Sequence, residues 1–193
     1  MYQNIGMVQE NQINMFTYVK GAINPSKILW LKENLENSTF YDVESLGRND
    51  TVLHLSEKDT ISISKEVSEY LNSYMFEKVK KQADELAGCK TTLADTTYIP
   101  FMKYQTKSNI ERHSDVRDGV FNKFISAVCY INDDYEGGEL LIFDGINEVS
   151  KIKPSSGDVI LLGHGVQHEA MTVNSGEKYI FVLFFDIDEK EKS

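Results

Sequence analysis

Hydrophobic residues recur with two different periods along this chain, and the change between them falls near residue 90. In the first part, residues 15–19 have the texture of a strand, and a helix follows with Asn24 as its N-cap and Pro25 at its first position. Between residues 64 and 86, apolar side chains recur at spacings of three and four, which predicts one long amphipathic helix. Trp30 is expected to face the sheet from the first helix.

From residue 91 onward the pattern consists of short β-rich runs broken by Gly, Asn, Asp and Ser. The predicted strands are residues 96–104, 121–131, 139–143, 158–162, 168–173 and 178–186. Short strands at this spacing are typical of a sandwich or a barrel. The predicted fold class is therefore mainly β with flanking helices, an α+β arrangement.

Length favours a single domain. A chain of 193 residues that is 41% hydrophobic can bury one substantial core. Within this domain, residues 1–193, we expect a helix-rich N-terminal support region at residues 1–90. A β-rich core follows at residues 91–186, and a charged tail at residues 187–193.

Charge and cysteine content indicate which partners and which cellular location to expect. Lys and Arg total 20 against 30 Asp and Glu, a net charge of −10 that repels phosphate backbones and makes nucleic acid an unlikely partner. Cys89 and Cys129 form no closely spaced metal motif, and a domain of this size needs no disulfide, which favours a reducing, cytoplasmic location. Neither a signal peptide nor a run of about 18 apolar residues occurs, so no membrane is expected.

Candidate chemistry lies in the β-rich part. In an extended segment, residues two apart point to one side, so His113 and Asp115 can present a nitrogen and an oxygen to one ion. His168, on a distant strand, supplies a third ligand. Two histidines and one carboxylate leave three positions open, as non-heme iron(II) requires. The alternative is that His-x-Asp occurs by chance, as it often does.

Lys178, ten residues after His168, strengthens the metal interpretation. Residues 168–173 and 178–186 flank Asn174-Ser175-Gly176, so they are predicted to form an antiparallel hairpin with His168 and Lys178 on one face. The four residues from His168 to Thr172 span about 13 Å, close to the length of a dicarboxylate chelating the metal plus an extended lysine. Lys178 would then pair with the distal carboxylate of 2-oxoglutarate. Otherwise it is a lysine at a solvated sheet edge.

Three groups of residues together carry a family resemblance. They are Tyr104 to Asp115, Ala127 to Asn132 followed by Gly137-Gly138-Glu139-Leu140, and His168-Glu169-Ala170 through Gly176 to Tyr179. In order and spacing the chain resembles the prolyl 4-hydroxylase-like 2-oxoglutarate/Fe(II)-dependent oxygenases. The resemblance implies a double-stranded β-helix, or jelly roll, with N-terminal helices packed on one side. It also implies that Tyr104, nine residues before the first ligand, hydrogen-bonds the cosubstrate.

The resemblance further implies the reaction. Fe(II) and 2-oxoglutarate are the expected cofactor and cosubstrate, O2 is consumed, ascorbate is a candidate reductant, and succinate and CO2 are released. Asp115 favours hydroxylation, because halogenating relatives replace this carboxylate with a small residue. A peptidyl proline or related amino acid is the leading substrate, with small molecules as alternatives. A second hypothesis is a non-catalytic jelly-roll module that binds 2-oxoglutarate or metal.

The other histidines and two arginines have structural explanations as well as functional ones. His164, between two glycines, competes with His168 as third ligand but lacks the ten-residue relation to a lysine. His54 is expected to be structural. Arg112 and Arg117 would steer an anionic substrate or else lie solvated at a rim. The sequence leaves the substrate and the oligomeric state open.

Overall fold

The computed structural model of the chain describes residues 15–42, 52–71, 74–116 and 123–188. Within these residues lie three helices: α1 (Pro25–Glu36), α2 (Glu57–Leu71) and α3 (Tyr74–Ala87). The first seven strands are β1 (Phe16–Val19), β2 (Phe40–Asp42), β3 (Leu53–Leu55), β4 (Thr91–Leu93), β5 (Phe101–Tyr104), β6 (Ile110–His113) and β7 (Phe124–Tyr130). The others are β8 (Glu136–Gly137), β9 (Leu140–Asp144), β10 (Asn147–Ile152), β11 (Val159–Leu162), β12 (Gln167–Ala170), β13 (Val173–Ser175) and β14 (Lys178–Ile187).

The strands form two unequal antiparallel sheets and a small ribbon. The large sheet has the order β1-β11-β7-β14-β5-β3-β2, with β4 beside the end of β14. The small sheet has the order β10-β9-β12-β6, and β13 pairs with β8. Buried residues of both sheets, among them Val128 and Ile180 from one and Ile142 and Ala170 from the other, share one hydrophobic cluster. This arrangement confirms the predicted jelly roll and the mainly β fold class with flanking helices.

The helices cover the other face of the large sheet. Their buried residues join the alternate side chains of β7 and β14, including Cys129, Phe181 and Phe185, in a second hydrophobic cluster. Asn24 caps α1 as predicted, because its side-chain oxygen accepts a hydrogen bond from the Ser26 N–H at 2.8 Å. Trp30 is half-buried against this cluster. No helix of the described residues is both long and apolar enough to cross a membrane.

Residues 64–86, predicted to form one long helix, are helical wherever the structure describes them, in α2 and α3, and residues 72–73 between these helices lie outside the described residues. The prediction missed the start of α2, which lies earlier, at Glu57. The missed start is set by Ser56, whose hydroxyl oxygen accepts from the Asp59 N–H at 3.2 Å and whose O–H donates to the Asp59 carboxylate at 2.8 Å. This reciprocal cap satisfies a free amide of the first turn.

The predicted hairpin between residues 168–173 and 178–186 was also wrong. His168 lies in β12 of the small sheet, Val173–Ser175 pairs with β8, and β14 pairs with β7 and β5 of the large sheet. The turn after Ser175 therefore carries the chain from one sheet to the other, as jelly-roll connections do. His168 and Lys178 consequently face each other across the interior rather than along one face.

Strand limits also differ from the prediction in places. Residues 96–100 are not part of β5, and the edge strands β2 and β10, as well as β3 beside β2, were not predicted. β10 is polar and mostly exposed, so its sequence lacks the apolar alternation on which the prediction relied. Much of the predicted tail, and the first strand residues predicted at 121–122, lie outside the described residues.

Gly137 provides a test of the β8–β13 contact. Its φ is +71°, and a Cβ there would lie 2.4 Å from the Thr172 carbonyl oxygen. We expect Gly137→Ala to destabilise the protein by about 3 kcal/mol, because backbone strain and a backbone clash combine. Gly145→Ala is the matched control, since its φ is +54° but nothing lies within 4 Å of its Cβ. It should cost only about 1 kcal/mol in urea unfolding. Equal losses would contradict the close contact.

Candidate metal centre

Two neighbouring strands of the small sheet bring the three predicted metal ligands together. His113 ends β6, Asp115 follows two residues later, and His168 lies in β12. β6 and β12 are antiparallel, and His113 stands directly opposite His168. Directly opposed residues of an antiparallel pair project their side chains to the same face, so the two imidazoles meet on the interior side.

The ligand atoms of these side chains converge. Asp115 Oδ1 lies 3.6 Å from His113 Nε2 and 3.7 Å from His168 Nε2. One ligand atom from each residue lies within 4.8 Å of the other two, and the described residues contain no other such group of three. The donors form a compact cluster of two nitrogens and one oxygen, the set that suits non-heme iron(II).

Both imidazoles are oriented by backbone carbonyls. His113 Nδ1 lies 2.8 Å from the Glu111 oxygen, and His168 Nδ1 lies 3.1 Å from the Val166 oxygen. A carbonyl can only accept, so each Nδ1 must carry a proton, and in the neutral form of each imidazole the Nε2 lone pair is directed at the cluster. Such outer hydrogen bonds fix the tautomer and the ring orientation of metal-binding histidines.

Asp115 is suited to remain ionised at this place. Burial alone would raise its pKa, but His113, His168 and Ser126 together hold the pKa of this carboxyl below its ordinary value. Its second oxygen, Oδ2, is buried and has no hydrogen-bond partner within the part of the chain described. A buried carboxylate oxygen without a partner is costly unless a ligand satisfies it. The residues present therefore fit a divalent cation.

Lys178 reaches the same cavity from the opposite sheet. It is only 1% exposed, and its ammonium donates to the Gly138 carbonyl at 2.9 Å. Tyr104 stands opposite it on β5, with the Lys178 Nζ 4.5 Å from the centre of the Tyr104 ring. His113, Asp115, His168, Tyr104 and Lys178 all line one cavity between the two sheets. The structure thus brings together every predicted site residue, although their roles as ligands stay predictions.

Two tyrosines near Lys178 were missed by the sequence interpretation. The Tyr130 and Tyr135 hydroxyls are buried and have no hydrogen-bond partner among the described residues. The Lys178 Nζ lies 5.3 Å and 5.9 Å from the centres of these two rings. Tyr130 belongs to one of the segments that carry the family resemblance and Tyr135 lies between two of them, but strand order alone could not show that both end near Lys178. A buried lysine with unsatisfied hydroxyls around it is a site for an anion.

Burial lowers the pKa of Lys178 to about 7, with Lys153 adding to the effect and Glu139 opposing it. A cation with no anionic partner in contact is unstable in such a place. An anionic ligand reaching Lys178 would restore the charged form. One end of the cavity consequently carries side chains suited to binding a metal ion, and the other end carries a lysine suited to binding an anion.

The remaining candidate residues lie elsewhere. His164 is exposed and is not part of the ligand cluster. Its ring packs edge-on against Phe124, with the two ring centres 5.3 Å apart. The Arg112 guanidinium is held by Gln167 and the Gly145 carbonyl and lies 4.2 Å from the Phe143 ring centre. It is therefore engaged in the small sheet. His54 lies on β3, beside a groove that also touches Asp115. Arg117 lies outside the described residues.

Comparisons with known proteins agree with this geometry. Residues 99–186 match the model of the 2OG-Fe(II) oxygenase superfamily. A PKHD-type hydroxylase of Prochlorococcus marinus is 35% identical over 74 residues, a stretch that covers 35% of this chain and 33% of that protein. The chain thus spans about a third of the length of this relative.

Solved structures share the fold. A 2OG-Fe(II) oxygenase family oxidoreductase from Burkholderia pseudomallei matches with a TM-score of 0.67 at 14% identity, covering 89% of this chain and 85% of its own. A prolyl hydroxylase from Trichoplax adhaerens, in complex with a hypoxia inducible factor peptide fragment, matches with a TM-score of 0.68 at 18% identity. The coverage there is 93% and 86%. At such identities the likeness establishes the fold.

Removing Asp115 tests the metal centre directly. We expect Asp115→Ala to weaken Fe(II) binding at least about a hundredfold, measured by anaerobic equilibrium dialysis, because one of three donors and the only charged one is lost. His164→Ala should bind Fe(II) like the unaltered protein. Loss of binding in His164→Ala alone would transfer the third-ligand role to that residue. Unaltered binding in Asp115→Ala would contradict the assignment of the donor set.

The depressed pKa of Lys178 predicts a pH dependence of stability. Between pH 7 and the ordinary value of 10.5, the unfolded chain binds a proton at Lys178 that the folded protein lacks. The unfolding free energy should therefore rise with pH by about 1.4 kcal/mol per unit over this range, relative to Lys178→Met. Urea unfolding of both proteins at pH 7, 8 and 9 measures the difference. Parallel pH curves would mean that this lysine is charged in the folded protein.

Proposed function

Because residues 99–186 match the model of the 2OG-Fe(II) oxygenase superfamily, we propose that this chain is an Fe(II)- and 2-oxoglutarate-dependent dioxygenase. Its substrate would be a peptidyl proline or a related amino acid, which it hydroxylates. The observation that carries the proposal is the joint placement of His113, Asp115 and His168 at one end of a cavity and the buried Lys178 at the other.

The proposed roles follow from the donor atoms. His113 Nε2, His168 Nε2 and Asp115 Oδ1 would hold Fe(II) on one face and leave three coordination positions open. When bound, iron and 2-oxoglutarate supply the oxidation, in which O2 is consumed, 2-oxoglutarate becomes succinate and CO2, and one oxygen atom goes to the substrate. The chain itself orients these groups and excludes water from them.

Lys178 would bind the distal carboxylate of the cosubstrate. Lys178 and Tyr104 line the cavity together with Tyr130, whose hydroxyl would offer a further donor to the same anion. Tyr135 packs near Lys178 but does not line the cavity. Burial raises the pKa of both Tyr130 and Tyr135, so these hydroxyls keep their protons and can donate them in hydrogen bonds. An anion here would meet one charged and several neutral donors.

Several finer features belong to the same proposal. Asp115 supports hydroxylation, because this chain has a carboxylate where halogenating relatives have a small residue. A peptide substrate is supported by the peptide-bound Trichoplax structure and the PKHD-type relative. Ascorbate would act as reductant for iron. The two free cysteines suit a cytoplasmic location. Residues 1–90 would support the core of residues 91–186 within one domain, followed by the tail of residues 187–193.

Anaerobic titration tests the function first. Adding 2-oxoglutarate to the Fe(II)-loaded protein should produce the weak visible absorption of a chelated keto acid, and admitting air should yield succinate. A non-catalytic binding module, the alternative considered from the sequence, would give the absorption without succinate. The proposed enzyme would be ruled out if neither signal appeared in protein shown to bind Fe(II).

Lys178→Ala tests the cosubstrate site. Removing one partner of a buried ion pair costs about 3–5 kcal/mol. The dissociation constant for 2-oxoglutarate should rise by roughly two to three orders of magnitude, measured in the anaerobic titration, while Fe(II) affinity without cosubstrate changes little. Lys178→Arg should lose less, since the charge is kept.

Lys151→Ala is the matched control for this experiment. Lys151 is an exposed lysine of β10, so its removal should leave the 2-oxoglutarate dissociation constant unchanged. A shift below about threefold in Lys178→Ala, equal to the shift in this control, would remove Lys178 from the cosubstrate site.

A further inference from the structure

The large sheet is wider than the sheet that faces it. Its outer strands β3 and β2 extend past β5, while the small sheet ends at β6. Cross-strand pairing places Tyr41, His54, Met102 and Ile180 in one row, each directly opposite the next. Directly opposed residues share a face, so this row lies on the side that faces the metal cavity. Its outer end is open, since Tyr41 is 56% exposed.

A groove of about 650 Å³ runs beside this row. Its lining includes His54, Tyr98 and Val116. Met102, Asp115 and Val182 line both the groove and the inner cavity. The groove therefore opens onto the candidate metal centre at the Asp115 side.

The groove surface is mixed, with polar and apolar parts of similar size, and its most exposed apolar side chains come from two segments of the lining. Tyr98 and Val116 are 54% and 64% exposed, two of the few large hydrophobic side chains with so much surface open to solvent among the described residues. Phe184 and Met102 add to the same surface. Exposed apolar side chains gathered around one groove indicate a binding site rather than chance exposure.

The charges of the described groove lining disfavour an acidic ligand. Among the described lining residues, Asp95 is the one carboxylate outside the candidate metal centre, His54 and Tyr98 are the other ionisable groups, and no lysine or arginine occurs. The Asp95 carboxylate accepts two hydrogen bonds from Thr97, which hold its pKa below the ordinary value and keep it charged. With a net charge of −10 for the chain, an anionic substrate would be repelled on approach.

We infer that this groove binds an extended peptide segment whose residues around the target are uncharged or basic, with His54 and Tyr98 as specificity-determining contacts. The distance from β14 to β2 spans three strand spacings, about 14 Å, which is the length of about four extended residues. A peptide of that length can contact the whole row from Tyr41 to Ile180, which a single amino acid is too short to do. The inference rests on the proposed function and names the substrate of that site.

A pooled library tests it. Blocked pentapeptides with a central proline and randomised flanking residues are incubated with the Fe(II)-loaded enzyme, 2-oxoglutarate and air, and products are read as a mass gain of one oxygen. We expect products from peptides with Lys, Arg or uncharged flanks, and at least tenfold fewer from those with Asp or Glu. Products from free proline but from no pentapeptide, or from none of these, would overturn the peptide assignment.

Variants locate the site on the protein. His54→Ala and Tyr98→Ala should each raise the KM for the best pentapeptide about tenfold, as loss of an aromatic contact typically does. The 2-oxoglutarate dissociation constant should not change. Tyr98→Phe should retain most of the affinity, and His54→Gln serves if His54→Ala folds poorly. Ile146→Ala, an exposed residue in the β9–β10 turn, is the control.

Binding separates this inference from the proposed function. The same pentapeptide is titrated by NMR into zinc-loaded protein with 2-oxoglutarate and into metal-free protein, since zinc binds without redox chemistry. Weaker binding in His54→Ala and Tyr98→Ala supports the groove even if the enzyme gives no succinate. Equal binding in the variants and in Ile146→Ala would overturn the groove while leaving the iron and cosubstrate assignments intact.

Discussion

The buried ammonium of Lys178 is the constraint around which the interior of this protein is organised. A lysine that is 1% exposed has lost most of its hydration, and in the described residues only one carbonyl accepts from it. Such a group is tolerated when a ligand supplies the missing negative charge. Lys178 begins β14, a strand that pairs with β7 over much of its length, so the amine is carried by one of the most firmly held strands of the large sheet.

The turn before β9 is shaped by the same lysine. A Cβ on Gly138 would lie 3.0 Å from the Tyr135 ring, 3.1 Å from Val173 and 3.4 Å from the Lys178 stem. Because Gly138 lacks a side chain, the lysine stem can pass between these groups and its ammonium can reach the Gly138 carbonyl. The Tyr130 and Tyr135 hydroxyls near it have no partner among the described residues, which costs free energy in the fold, and they become useful when an anion binds. The free energy that these unsatisfied groups cost the folded protein would therefore be recovered when an anion binds to them.

Much of the site could be predicted from the sequence, because its key relations are local. His113 and Asp115 are two residues apart in an extended segment, and the Asn24 cap is set by adjacent residues. What failed depended on pairing between distant strands. The turn at residues 174–176 has the composition of a hairpin, yet burial of β12 and β14 in opposite sheets outweighs the local preference. Tyr130 and Tyr135 were missed for the same reason, since only tertiary structure brings them to Lys178.

Because the two sheets differ in width, part of the interior face is shielded from water and part of it is open to solvent. Where the sheets face each other, apolar side chains exclude water from the lysine and from the carboxylate, which strengthens every electrostatic contact there. Where β3 and β2 extend past the small sheet, the same face is left open beside Asp115. A ligand buried between the facing sheets would be held by charge. A ligand lying on the open face beside Asp115 would be held by apolar contact. The boundary between them runs along Met102 and Val182, so the width of the small sheet determines where the sealed interior ends and the groove begins.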